Sequence, residues 1–354
     1  MVTTKSLSEK SDRSRWTTVQ RIGTKFFPLS NMRCKMLEYA IGVDLGGTQI
    51  RAMLVDNSGQ EIRRAHTLTQ AHEGLDAVIE RIRQTVRQAG ADVDWREVGC
   101  IGVGAPGPLD PWRGIVFEAP NLPGWIDVPL KALLEDSFQV PVQVGNDANV
   151  AALGEHRFGA GQDVDDLIYV TVSTGIGGGI ISQGQLIVGA HGLGGEVGHI
   201  TVEAGGPPCN CGNTGCVETL ASGPAIAREA VARIQAGATS QIVDLVGGDL
   251  GRVTAETVTH AAGLGDQLGL EIVQRAGFYI GVAFVSLIHI FNPRLFLLGG
   301  GVSQAGNLLF DPIRTTVRER AMPPFQRDLR IEPAGLGQDA GLWGAVALAL
   351  GSQK

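Results

Sequence analysis

Twice in this chain an apolar strand runs into a glycine turn and straight back out as another strand, an arrangement that few folds accommodate. Residues Tyr39 to Asp44 enter Leu45-Gly46-Gly47-Thr48, and a strand from Ile50 to Asp56 leaves at once. Residues Leu167 to Val172 enter Ser173-Thr174-Gly175-Ile176-Gly177, and the chain returns through Ile180-Ile181. Turns of this kind offer backbone N–H groups and a hydroxyl to an anion, so two of them facing one cleft could hold a polyphosphate. Asp44, ending the first strand, is placed to reach a hydrated Mg²⁺. A plain hairpin remains the alternative for each turn. The chain has no Gly-Lys-Ser/Thr, which excludes a Walker loop. Gly102-x-Gly104-x-x-Gly107 fits the dinucleotide fingerprint formally, but Pro106 and Pro108 block the helix that must start there.

The remaining pattern alternates strands and helices, as an α/β protein does. Leu75, Val78, Ile79, Ile82, Val86 and Ala89 share one helix face closed by Gly90, and a strand follows from Val98 to Val103. Asn121 to Trp125 is read as a loop, Leu130 to Phe138 as a helix, and Val140 to Val144 as a strand delivering Gly145-Asn146-Asp147. An Asp between a strand and the next helix sits where α/β folds place their chemistry, although a helix N-cap explains it equally well. Beyond residue 218 the chain reads as helical to about 291, with breaks near Gly247 and Gly263. Its most apolar part, Ala283 to Phe291, is preceded by Glu271, Gln274 and Arg275, which favours a buried helix over a membrane span. A strand from Leu295 to Leu298 meets a third glycine turn, Gly299-Gly300-Gly301, and Ala340 to Leu350 form a small-residue helix able to pack closely.

His199, Cys209, Cys211 and Cys216 gather in 18 residues rich in Gly, Pro and Asn, without the apolar periodicity that would bury them as core. One imidazole and three thiolates complete a tetrahedral Zn²⁺ and leave no position for an activated water, so a structural zinc is expected. A disulfide fits less well, because Cys209 and Cys211 are too close to bridge easily and three thiols leave one over. Only Cys34 and Cys100 lie elsewhere, so a reducing compartment, the cytoplasm, is expected. A net charge of −7 over 354 residues argues against nucleic-acid binding and for small-molecule partners. Residues 1 to 35 carry eight Lys/Arg against Glu9 and Asp12 without a sustained period, and are expected to form a disordered or non-native tail, with Met36 an alternative start.

The paired glycine hairpins, Asn146-Asp147, and Glu196-x-Gly198-His199 followed by Cys209-x-Cys211-Gly212-x-x-Gly215-Cys216-x-Glu218 resemble the ROK family of bacterial sugar kinases and repressors, its glucokinases in particular. The resemblance covers roughly residues 38 to 354. It implies a two-lobed actin-like ATPase (ribonuclease H-like) fold, with a small lobe 38–153, a large lobe 154–339 holding the zinc segment 196–218, and a final helix 340–354 returning to the small lobe. It implies that Asp44, Gly46, Gly47 and Thr48 form one phosphate motif, Thr174, Gly175 and Gly177 the other, and that Gly299, Gly300 and Gly301 hold the adenosine of ATP. Gly107, Asn121, Asn146, Asp147, Glu196, His199 and Glu218 fall at sugar-site positions, with Asp147 the catalytic base. The implied reaction is Mg²⁺-dependent transfer from ATP to the 6-hydroxyl of a hexose, glucose first, with N-acetylmannosamine, N-acetylglucosamine, fructose, mannose and allose as alternatives. A sugar-sensing repressor is the rival reading, and a homodimer or homotetramer the implied assembly, with no nucleic-acid or membrane partner for the kinase.

Overall fold

The computed structural model describes residues 37–351; the tail, Cys34 and the last three residues of the expected final helix lie outside them. The first half contains β1 (Tyr39–Leu45), β2 (Gln49–Asp56), β3 (Glu61–Leu68), α1 (Leu75–Ala89), β4 (Val98–Ala105), β5 (Leu109–Asp110), β6 (Ile115–Glu118), β7 (Ile126–Val128), α2 (Leu130–Phe138), β8 (Val142–Asn146) and α3 (Asp147–Phe158). The second contains β9 (Leu167–Val172), β10 (Ile176–Ser182), β11 (Gln185–Leu186), α4 (Val217–Ala221), α5 (Gly223–Gln235), α6 (Ile242–Leu245), α7 (Ala255–Gly263), α8 (Gln267–Phe291), β12 (Leu295–Gly299), α9 (Asn307–Arg320), β13 (Arg330–Pro333) and α10 (Ala340–Gly351).

The duplication expected from the glycine turns extends to whole sheets. One sheet runs β3-β2-β1-β4-β8 and the other β11-β10-β9-β12-β13. In each, the first three strands in sequence pair antiparallel, the fourth joins the first in parallel, and the fifth joins the fourth in parallel. The small sheet β5-β6-β7, which flanks the loop Asn121 to Trp125, is not anticipated by the sequence reading. Its strands are two to four residues long, too short to show a period. β11 is only two residues long, Gln185–Leu186, and the third glycine turn leads first into a 3₁₀ turn, Gly301–Ala305.

Between the two sheets lie α3 and α10. Strand alternation explains how. Ile41, Val43 and Leu45 face one core with α1, whereas Ala40 on the opposite face packs with Leu342, Val346 and Ala349 of α10. Likewise Ile168, Val170 and Val172 face the core built by α8 and α9, and Leu167 and Tyr169 face α3 and α10. Small residues set the spacing. A Cβ on Gly102 would lie 2.1 Å from the Ala345 carbonyl oxygen, and one on Gly344 would lie 1.9 Å from that of Val150. α8 is long and apolar enough to cross a membrane, but 61% of its most apolar window is buried within the protein, as a core helix requires.

Because the backbone itself fills the space in front of Gly102, no rotamer relieves a side chain there. Gly102→Val is therefore expected to lower unfolding free energy by about 1–3 kcal/mol or more, as overpacked cores do, read as a lower denaturant midpoint at unchanged m-value.

Candidate active site and metal centre

The period-2 face that brings Ala40 and Gly42 against α10 also carries Asp44, so its carboxylate comes to the start of that helix. A Cβ on Gly341 would lie 2.9 Å from Asp44 Oδ1. Arg51 of β2 holds the same carboxylate, its Nε donating at 3.1 Å and its Nη2 at 2.5 Å to Oδ2. The Gly46–Thr48 turn is braced from behind by Thr69, which is fully buried: its hydroxyl donates to the Gly46 carbonyl at 2.6 Å, and its N–H to the Thr48 carbonyl at 2.8 Å. Thr48 remains exposed, and Gly47 abuts Asn121, whose Cβ a side chain at 47 would meet at 2.9 Å.

Asn146, rather than Asp147, caps α3: its side-chain oxygen accepts from the N–H groups of Ala148 and Asn149. Its amide nitrogen donates to the Gly107 carbonyl at 3.3 Å, joining the Gly-Pro turn to the same point. Asp147 is thereby relieved of capping, although its Oδ1 still accepts from Ala148 N at 2.8 Å. Asp147 is exposed to water at the head of α3, with protein crowding around its carboxylate. That enclosure, opposed by the Ala148 N–H and reinforced by the nearby charges of Asp44 and Glu196, pushes its carboxyl up to about 6. Asp44 and Glu196 are thus close enough for their charges to act on Asp147, and the three define the candidate cleft.

The second glycine turn adjoins this cleft. Thr174 is exposed, Gly177 packs against Ala148, and Glu218 Oε2 accepts from the Ile176 N–H at 2.8 Å. A Cβ on Gly175 would meet that same oxygen at 2.6 Å, so glycine there lets Glu218 close on the turn. The third turn lies alongside. Gly300 has φ +84° and presses on Val172, while the space before Gly301 is open. Asn149 and Thr69 are residues the sequence reading missed. Asn149 Nδ2 donates to the Gly194 carbonyl at 3.2 Å, tethering α3 to the loop that presents Glu196. Asn149 stands two residues after Asp147 and Thr69 lies well beyond Thr48, each an ordinary polar residue with no local signal to distinguish it.

Glu196 and His199 sit three residues apart across the 3₁₀ turn Val197–His199, a spacing that puts both side chains on one side. His199 Nδ1 lies 3.6 Å from Cys209 Sγ, Cys211 Sγ lies 3.7 Å from Cys216 Sγ, and all four donor atoms fall within 4.8 Å of one another. Thiolates bound tetrahedrally at about 2.3 Å stand roughly 3.8 Å apart, so the donors fit zinc. The fit is also electrostatic: burial, followed by the adjoining thiols of Cys211 and Cys209, pushes the Cys216 thiol upward, and a cation is what would let the three ionise together. The cluster leaves His199 Nε2 on the far side of the ring.

The sequence profile of the ROK family matches residues 40–352. The chain belongs to the ROK family. It is 38% identical to a glucokinase of Thermotoga maritima over 87% of this chain and 96% of that protein. It is 31% identical to the xylose repressor of Bacillus spizizenii over 89% of this chain and 78% of the repressor. A crystal structure of a ROK family glucokinase from Streptomyces griseus in complex with glucose and AMPPNP superposes with a TM-score of 0.75 at 37% identity, covering 88% of this chain and 99% of that one. The α/β sugar-kinase fold of the ROK family is thus the fold of this protein.

For this ROK protein the metal assignment gives a direct measurement. Elemental analysis is expected to find one zinc per chain, and Cys216→Ala to lose it together with several degrees of melting temperature, as structural zinc sites contribute folding free energy. A metal-free protein of unchanged melting temperature would refute it.

Proposed function

We propose that the protein is an ATP-dependent hexose kinase that transfers the γ-phosphoryl group to the 6-hydroxyl of glucose. The observation that carries this reading is Asp147: Asn146 caps its helix in its place, the second glycine turn packs against the neighbouring Ala148, and its carboxyl is raised to about 6 by enclosure and by the charges of Asp44 and Glu196. The similarity to glucokinases across nearly their whole length supports glucose as the acceptor.

Phosphoryl transfer asks little covalent chemistry of a protein and much positioning and charge neutralisation. In this reading Asn121, Asn146, Glu196, His199, Glu218 and the backbone at Gly107 bind the sugar, whose hydroxyls each need both a donor and an acceptor. The turns Gly46–Thr48 and Thr174–Gly177 hold the phosphates, and Gly299–Gly301 adjoin the adenosine. Mg²⁺ carried by ATP would neutralise the phosphate oxygens, with Asp44 the residue nearest to receive it. Asp147 takes the 6-hydroxyl proton as that oxygen bonds to the γ-phosphorus and ADP departs. A zinc-bound His199 would have its Nε2 fixed as a hydrogen-bond donor, aimed at a sugar hydroxyl. The two lobes would divide near residues 153 and 154, within α3.

Asp147→Asn is expected to fold and bind glucose while kcat falls about 10² to 10⁴-fold, the usual loss for a general base. In the wild type, kcat/KM should rise with pH through about 6, where Asp147 ionises. The same upward shift makes this group's contribution to stability fall as pH rises from the ordinary carboxylate range through about 6, and Asn removes both effects. Near-normal kcat in the variant would place the base elsewhere.

A sugar-responsive repressor is the second reading, favoured by the xylose repressor relative. A coupled ADP assay over a panel of hexoses, run beside a gel shift on the purified chain, separates the two. Sequence-specific DNA binding without ADP formation would overturn the kinase, and a higher kcat/KM for another hexose would change only the substrate.

A further inference from the structure

Glu155 lies eight residues beyond Asp147 on the same helix and has no exposed surface. Burying a carboxylate is costly unless donors match its oxygens. Here three backbone amides do so: Ala160 N–H donates to Oε2 at 3.0 Å, Gly335 N–H to Oε2 at 2.9 Å, and Leu336 N–H to Oε1 at 2.8 Å. Two of them belong to the segment between β13 and α10. Three residues further along that segment a second anchor takes hold. Arg51 donates through Nη1 to Asp339 Oδ1 at 3.1 Å and through Nη2 to the Gln338 carbonyl at 2.8 Å, while the same guanidinium grips Asp44. Residues 335–339 are thus pinned at one end to the helix of Asp147 and at the other to the strand of Asp44.

We propose that Glu155 is a positioning residue for phosphoryl transfer, fixing through residues 335–339 and Arg51 the pose of the helix that carries Asp147 against the strand that carries Asp44. An apolar side chain would fill the same space at lower desolvation cost. What the carboxylate adds is direction, since its charge-assisted hydrogen bonds hold particular amides at particular angles. The proposal rests on the kinase reading above, in which Asp147 and Asp44 act on the two partners of one transfer.

The test is Glu155→Gln, which keeps the shape but turns an NH₂ toward a backbone N–H. It is expected to lower kcat about 10 to 100-fold, the usual consequence of a misplacement near 1 Å, while the glucose dissociation constant measured by calorimetry stays within about threefold. Glu155→Asp, retaining the charge, should recover part of the loss. If Glu155→Gln proves too unstable to purify, Asp339→Asn loosens the exposed end of the same clamp and should show the same split between turnover and sugar binding. All variants are assayed well below their melting temperatures. A purely structural Glu155 would lower the melting temperature and leave kcat unchanged, and wild-type kcat in the folded variants overturns the proposal. If Asp147→Asn abolishes turnover while these variants keep it, only the positioning role falls. If Asp147→Asn keeps turnover, the base assignment falls instead.

Discussion

The close crossing of α3 and α10 is the contact on which the rest of the molecule depends. α10 lies chiefly against the first sheet and α3 chiefly against the second, so their mutual distance governs how the sheets face one another. That distance is set by backbone on backbone. Gly154 approaches the Ala340 carbonyl, Gly344 approaches that of Val150, and Gly42 and Gly102 admit α10 to the first sheet. Close packing of this kind gains dispersion contacts along both helices and tolerates little change in volume. The helix that carries Asp147 at its first position is therefore held by close backbone-on-backbone packing.

Around that rigid crossing the cleft concentrates negative charge. The charges of Asp44 and Glu196 raise the cost of ionising Asp147, and Arg51 pairs with Asp44. A cleft that crowds carboxylates while offering glycine turns for phosphate has a use for a cation and a substrate arriving together. The unfavourable electrostatics of the empty site become favourable ones when hydroxyls donate to the carboxylates. Asp147 then stands near the condition that general-base catalysis prefers, a pKa not far from working pH.

The Cys/His cluster serves the cleft from outside. Its four donors draw a turn-rich segment, with little apolar surface of its own, onto the second sheet, where Tyr279 of α8 also holds it by donating to Glu203 Oε1 at 3.0 Å. Glu196 and Glu218 flank the ligands at either end, and Glu218 reaches back to the second glycine turn. Cross-linking four ligands through one ion would order both carboxylates at once, which a loop of glycine and proline could not do by side-chain packing.

The sequence by itself determined the strands, the glycine turns, the principal helices, the duplicated design and the four donors of the cluster. These are properties of local pattern: period-2 and period-3.6 apolar spacing, residues that permit tight turns, and ligand types within one short segment. It also placed Asp147 at a strand end, but could not choose between cap and base. Only the tertiary structure shows that the capping acceptor is the Asn146 side chain, and that Asp147 is raised by the protein around it, by Asp44, some hundred positions earlier, and by Glu196 in the second half of the chain. The small sheet, the bracing by Thr69, the Asn149 tether and the buried Glu155 were likewise invisible. Each depends on hydrogen bonds to backbone groups distant in sequence, and a side chain's distant partner leaves no mark on its neighbours in the chain.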